Sequence, residues 1–267
     1  MTRFVIRPLV VVFVLFLSLS AAEAQSKLSK ITKSGVIKVG MTGNQPPFSM
    51  QAKDGSLMGF EVDLAELLAE SMNLKLELVQ MPFGELLPAL EGGKVDAVMS
   101  GMTITTERNL KVPFVGPYLL SGKSILTKSA TIAKAQEAEE LNQSNLKITA
   151  LSGSNSEEFV KTLLKEATFV GAADYDAAVK NLLEDQANVM VADYPVCVLT
   201  MLRYPDAQLA TLSAPFTIEP IGIAIAPGDA LYLNFIENYF SALELAGLLD
   251  GLEQYWFEDG SWLANMK

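Results

Sequence analysis

The sequence predicts an α/β protein of two lobes with a ligand cleft between them. Three observations lead there: strand and helix patterns alternate along the chain, the alternation restarts after residue 145, and 267 residues exceed what one small core usually holds. Repeated alternation requires crossovers, so each lobe should carry a mixed, mostly parallel sheet flanked by helices.

The first strand is Gly35 to Met41, a β-branched run ending in a loop with Pro46 and Pro47, and Gln51 to Gly55 reads as a hairpin tip. From Glu61, the residues Val62, Leu64, Ala65, Leu67, Leu68 and Met72 recur at helical spacing. Glu61, Asp63, Glu66 and Glu70 would form the solvated acidic face of that helix. A strand at Leu74 to Val79, a short helix at Phe83 to Leu90 stopped by Gly92 and Gly93, and a strand at Val95 to Met99 complete the first run. Tyr118 to Thr127 is apolar and extended, and Ala133 to Asn145 is polar and helix-forming. The pattern then restarts with strands at Lys147 to Leu151, Ala167 to Val170 and Val189 to Asp193, and helices at Ser154 to Lys165, Asp174 to Glu184 and Val196 to Arg203. Ile221 to Ala226 is one more buried strand, before helical stretches at Ala230 to Leu245 and Leu248 to Trp256.

Composition narrows the chemistry. Twenty basic against thirty-one acidic residues give a formal charge of -11, the wrong sign for binding nucleic acid. There is no His, which removes His-based triads and the common zinc and haem sites, and one cysteine, Cys197, which allows no intramolecular disulfide. No metal and no cofactor is expected. Residues 1–24 read as a signal peptide: Arg3 and Arg7, the apolar run Leu9 to Leu17, and Ala22-Glu23-Ala24 before a cleavage point at Gln25.

In α/β sheets ligands bind beyond the carboxyl ends of strands, which directs attention to Thr42–Phe48, Gln80–Gly84, Ser100–Arg108, Ser152–Ser156 and Asp193–Pro195. These segments bring one Arg and one Asp, which suits a zwitterion. Pro46-Pro47-Phe48, Gly59-Phe60-Glu61-Val62-Asp63-Leu64-Ala65, Leu87-Pro88-Ala89-Leu90, Gly93-Lys94-Val95-Asp96-Ala97, Gly101 to Arg108 and Pro117-Tyr118 follow in order. Together they resemble the amino-acid type of periplasmic solute-binding protein, family 3, the receptors of ABC importers.

The resemblance implies the type II fold of periplasmic binding proteins. Lobe 1 would be 25–117 plus 222–267, lobe 2 would be 122–216, and hinge crossings would lie at 118–121 and 217–221. It implies a monomer in the periplasm that holds an amino acid and meets the membrane permease of an ABC importer. By the same resemblance Arg108 grips the ligand carboxylate, Thr103 assists with its amide and hydroxyl, the Gly101 carbonyl and Asp193 receive the α-ammonium, and Asn155 contributes mainly its backbone. Chemistry agrees on Arg108, because a guanidinium meets both carboxylate oxygens at once. Alternatives stand beside each role: a surface pairing of Arg108 with Glu107 or Glu70, helix caps at Thr103 and Asp193, a turn at Gly101, a core place for Phe83. Thr42, Gln45, Phe83 and Leu151 would line an uncharged side-chain pocket, favouring a neutral ligand side chain. Ser34-Gly35-Val36, Thr42-Gly43 and a C-terminal tail with Trp256 and Trp262 also resemble the secreted cyclohexadienyl dehydratases, which act on prephenate or arogenate; Glu219 would lie near their general acid, although Ser156 stands where they carry Asn. As a transport receptor it needs no catalytic residue.

Overall fold

The computed structural model describes residues 26–267. The expected signal peptide, residues 1–24, and its cleavage before Gln25 lie outside the described residues. No helix among the described residues is long and apolar enough to cross a membrane.

The chain opens with a helix the periodicity did not reveal, α1 (Lys27–Ser34), capped by the Ser26 hydroxyl and closed by Gly35 in the left-handed region. It is short and polar, and tertiary contacts hold it: Lys27 Nζ lies 2.6 Å from Asp96, and the Leu28 amide donates to Asp229. There follow β1 (Val36–Met41), the hairpin β2 (Met50–Gln51) and β3 (Leu57–Met58), α2 (Phe60–Ser71), β4 (Lys75–Gln80), α3 (Leu86–Glu91), β5 (Ala97–Val98), α4 (Thr106–Asn109) and β6 (Phe114–Ser121). Next come β7 (Lys123–Thr127), β8 (Lys147–Leu151), α5 (Asn155–Leu163), β9 (Thr168–Ala172), α6 (Tyr175–Leu183), β10 (Val189–Asp193), α7 (Tyr194–Arg203) and β11 (Ala210–Thr211). The chain ends with β12 (Glu219–Ile225), α8 (Ala230–Leu245) and α9 (Leu248–Glu253).

Two five-stranded sheets result, in the orders β4-β1-β5-β12-β6 and β11-β7-β10-β8-β9. Each has a parallel trio, built by strand-helix crossovers, beside antiparallel strands. The antiparallel neighbours of the trios are β12 and β7, the strands nearest the points where the chain passes between sheets. Tyr118 to Thr127, expected as one extended segment, is therefore two strands in two sheets, divided at Gly122.

Two expectations fail for physical reasons. Residues 133–145 form only short 3-10 turns, Ile132–Lys134 and Ala138–Leu141: the buried Ala135, Ala138 and Leu141 recur every third position, the repeat of a 3-10 turn, and the backbone leaves the helical region at Ala135 and again at Asn142. The acidic residues of α2 are not one solvated face. Glu66 and Glu70 are exposed, but Glu61 is fully buried and Asp63 accepts from Trp256 Nε1 at 2.8 Å. The C-terminal tail causes the second half of this: after α9 it turns through residues 254–258 and packs Phe257 on Phe48 and Phe60.

Candidate functional site

The loops after β5, β8 and β10 and the start of β12 converge between the two sheets, and the polar groups they carry meet directly. Thr103 is drawn in by backbone pairing with Ile221, and the Ile104 amide donates to Pro220 O at 2.8 Å. Its hydroxyl donates to Glu219 Oε2 at 3.1 Å. The true N-cap of α4 is Thr105, whose side chain accepts from the Arg108 amide, so Thr103 is not the cap.

Arg108 lies half-buried on the last turn of α4. Its Nη1 donates to Thr103 O at 2.9 Å, and its guanidinium carbon stands 5.6 Å from the centre of the Phe83 ring. No carboxylate of the described residues comes within 4 Å of it, so pairing with Glu107 or Glu70 does not occur. Burial pulls the guanidinium below its ordinary pKa, opposed by Asp193 and Glu219. Phe83 is both core and ring platform, being buried under Arg108 while it lines a cavity of about 280 Å³ with Thr42, Leu151 and Asp174; the pocket expected to be uncharged thus carries one acid, and Gln45 is not part of its wall.

Asn155, expected to act through its backbone, also reaches across with its side chain. Its Nδ2 donates to Thr103 Oγ1 at 2.9 Å and also to Glu219 Oε2. The surrounding amides are already used: Ser152 by Ala172 O, Gly153 by Glu157, Ser154 by Leu151 O, and Ser156 by the Ser154 hydroxyl that caps α5. The loops also touch backbone to backbone, since a Cβ on Gly153 would lie 3.0 Å from Gly84 Cα. The cleft is closed.

Asp193 precedes α7 but makes no capping hydrogen bond. Its Oδ1 accepts from Lys123 Nζ at 2.6 Å, and the same ammonium lies 3.0 Å from Glu219 Oε2. Lys123 is fully buried and was not recognised from sequence; the available signal was a lysine directly after Gly122 inside an apolar run. Burial pushes the Glu219 carboxyl up, but Lys123 and the hydroxyls of Thr103 and Thr217 outweigh it and hold it below the usual carboxylate range. Glu219 therefore faces the cleft as an anion.

Gly101 and Gln45 form one layer beneath this cluster. Gly101 has φ +56°, and a Cβ there would lie 2.2 Å from Gln45 Nε2. Gln45 is fully buried with neither amide atom hydrogen-bonded. The Gly101 amide donates to Glu61 Oε1 at 2.6 Å, and Tyr118 Oη donates to the same oxygen. Burial pushes the Glu61 carboxyl up to about 7, against those two hydrogen bonds and with a contribution from Asp193.

That shift has a sign. A carboxyl raised in the folded state stabilises fully below its unfolded value of 4.5, and the contribution is lost as pH rises through about 7. The gap corresponds to about 3 kcal/mol at most. Glu61→Gln keeps an acceptor for Gly101 and Tyr118 but cannot ionise, so urea denaturation is expected to show this variant gaining about 1–3 kcal/mol relative to wild type between pH 4.5 and 8. Parallel pH profiles of the two proteins would contradict this.

Among the described residues there is no group of three or more potential metal ligands. Cys197 is buried, which pushes its thiol pKa well up and leaves it unreactive.

The profile of the bacterial extracellular solute-binding proteins, family 3, matches residues 37–259. Cyclohexadienyl dehydratase of Pseudomonas aeruginosa is 28% identical over 91% of this chain and 91% of its own. The structure of an ancestral amino acid-binding protein, a precursor of cyclohexadienyl dehydratase, superposes with a TM-score of 0.80 at 35% identity, covering 87% of this chain and all of that one. A putative binding component of an ABC transporter from Wolinella succinogenes, complexed with lysine, gives a TM-score of 0.81 at 34% identity over 86% of this chain and 99% of that one.

Proposed function

The chain belongs to family 3 of the bacterial extracellular solute-binding proteins, and from that premise we propose that it captures an amino acid between its lobes and delivers it to the permease of an ABC importer. The periplasm is its place of work, and residues 1–24 direct it there. One observation carries the reading: a half-buried guanidinium in a closed interlobe cleft, with no carboxylate of the described residues within 4 Å and with Asp193 acting on it only through its charge. Arg108 takes the α-carboxylate in a two-pronged contact, and Asp193 shares its charge between Lys123 and the α-ammonium. Asn155 and Thr103 join the two sides once the lobes shut, and the crossings at 118–121 and 217–221 act as the hinge.

A second reading is dehydration of prephenate or arogenate, favoured by Glu219 facing the cleft beside Thr103 and Asn155. A general acid must hold a proton near neutral pH, whereas Lys123 keeps Glu219 ionised. Binding is thus the better account.

A thermal-shift screen with the twenty amino acids, prephenate and arogenate separates the two. At least one amino acid should raise the melting temperature, since only the folded state binds it, and incubation with prephenate or arogenate should release no phenylpyruvate or phenylalanine above background. Product formation that vanishes in Glu219→Gln would make the protein a dehydratase.

A further inference from the structure

We propose that Lys123 is a resident counter-cation that sets the charge class of the ligand: it neutralises an acidic pair that would otherwise receive a basic side chain, so the cleft takes amino acids with uncharged side chains. The inference rests on the amino-acid reading above.

The geometry is specific. Lys123 begins β7 directly opposite Asp193, the last residue of β10. Its amide donates to Thr217 Oγ1 at 2.8 Å and its carbonyl accepts from the Phe216 amide at 2.7 Å, which ties it to the returning chain just before Glu219. A fully buried ammonium thus stands between carboxylates that reach it from separate strands, β10 and β12.

The charges then sort themselves. Arg108 and Lys123 balance Asp193 and Glu219, and of these two cations Arg108 is the one with no carboxylate of the described residues within 4 Å. The other carboxylates acting on Arg108, Glu107 and Glu158, are exposed and screened by water. Glu61 lies beneath, bonded to Gly101 and Tyr118.

An amino acid brings one carboxylate for Arg108 and one ammonium to share Asp193. A further cation on its side chain would enter a closed site whose two remaining acids are both engaged: Glu219 holds Lys123 and accepts from Thr103, Asn155 and Thr217, while Asp174, on the wall of the Phe83 cavity, caps α6 by accepting from the Ala177 amide. A desolvated cation without its own counter-charge is strongly disfavoured. Removing the Lys123 charge reverses this: Asp193 still serves the α-ammonium, and Glu219 becomes an unpaired anion that recruits a guanidinium or ammonium.

The test compares wild type, Lys123→Met, Lys123→Gln and Lys123→Met/Glu219→Gln by calorimetry, with arginine, lysine and the tightest uncharged amino acid of the screen. Wild type should favour the uncharged ligand over arginine and lysine by at least about tenfold. In Lys123→Met and Lys123→Gln the preference for a basic ligand should rise by at least about tenfold, and it should fall back in the double variant. Wild-type preference for arginine or lysine, an unchanged preference in both single variants, or a gain that survives in the double variant would each overturn the proposal. If wild type binds no amino acid, the transport reading fails by itself. The appearance of arginine binding in the single variants would still uphold the role of Lys123, and its absence would remove it.

Discussion

Arg108→Ala is expected to weaken binding of the amino acid by roughly 100- to 4000-fold while the ligand-free protein melts close to wild type. The separation of the two effects follows from what Arg108 contacts. Helix α4 is capped through the Arg108 amide, which the substitution keeps. The side chain gives up one hydrogen bond to the Thr103 carbonyl and its place over Phe83, a modest loss for a half-buried group. The ligand carboxylate, however, would be shut in the cleft without a partner, which costs about 3–5 kcal/mol, and each 1.4 kcal/mol is a factor of about ten. Arg108→Lys should fall between, because a point charge replaces a two-pronged donor. Calorimetry on variants with unchanged circular dichroism decides the matter. Retained wild-type affinity in Arg108→Ala would take this residue out of the site.

Gly122→Ala should lower stability by about 2–3 kcal/mol and Tm by roughly 4–12 °C. The two passages of the chain between the sheets run side by side here. A Cβ on Gly122 would stand 1.9 Å from Thr217 O and 2.8 Å from Pro215 Cβ, so the nearest obstacle is backbone that cannot rotate away. The hydrogen bonds on either side, Tyr194 N to Gly122 O at 3.0 Å and Lys123 N to Thr217 Oγ1 at 2.8 Å, would have to lengthen together. Because Lys123 follows directly, ligand affinity should suffer as well. Gly251→Ala is the control: it lies within α9 with open space around it, and Ala favours the helix, so Tm should hold or rise. Equal melting temperatures for Gly122→Ala and wild type would show that the crossings separate freely.

Legibility of the fold followed local pattern strength. The strand at Val189 to Asp193 and the helix from Ala230 to Leu245 could be read from the chain, the first as an unbroken apolar run before an acid and the second by its helical repeat. Helix α1 could not, since its stability comes from Asp96 and Asp229, far away in sequence. Residues 133–145 looked helical by composition, but their apolar side chains are buried one by one beneath the second sheet. Glu61 looked like its neighbours Glu66 and Glu70, and only the approach of Gly101 and Tyr118 separates it from them.

The alternation of elements, the restart that makes a second sheet, and the loops that carry Thr103, Arg108, Asn155 and Asp193 are written in the order of residues, because they depend on spacing along the chain. Which charges meet is settled only by the folded arrangement. Lys123 lies 70 residues from Asp193, and Thr103 lies 116 from Glu219. Whether an ammonium or a hydroxyl is a partner of such an acid is a matter of a few ångströms and of exclusion from water, and neither exists until the two sheets have closed on one another.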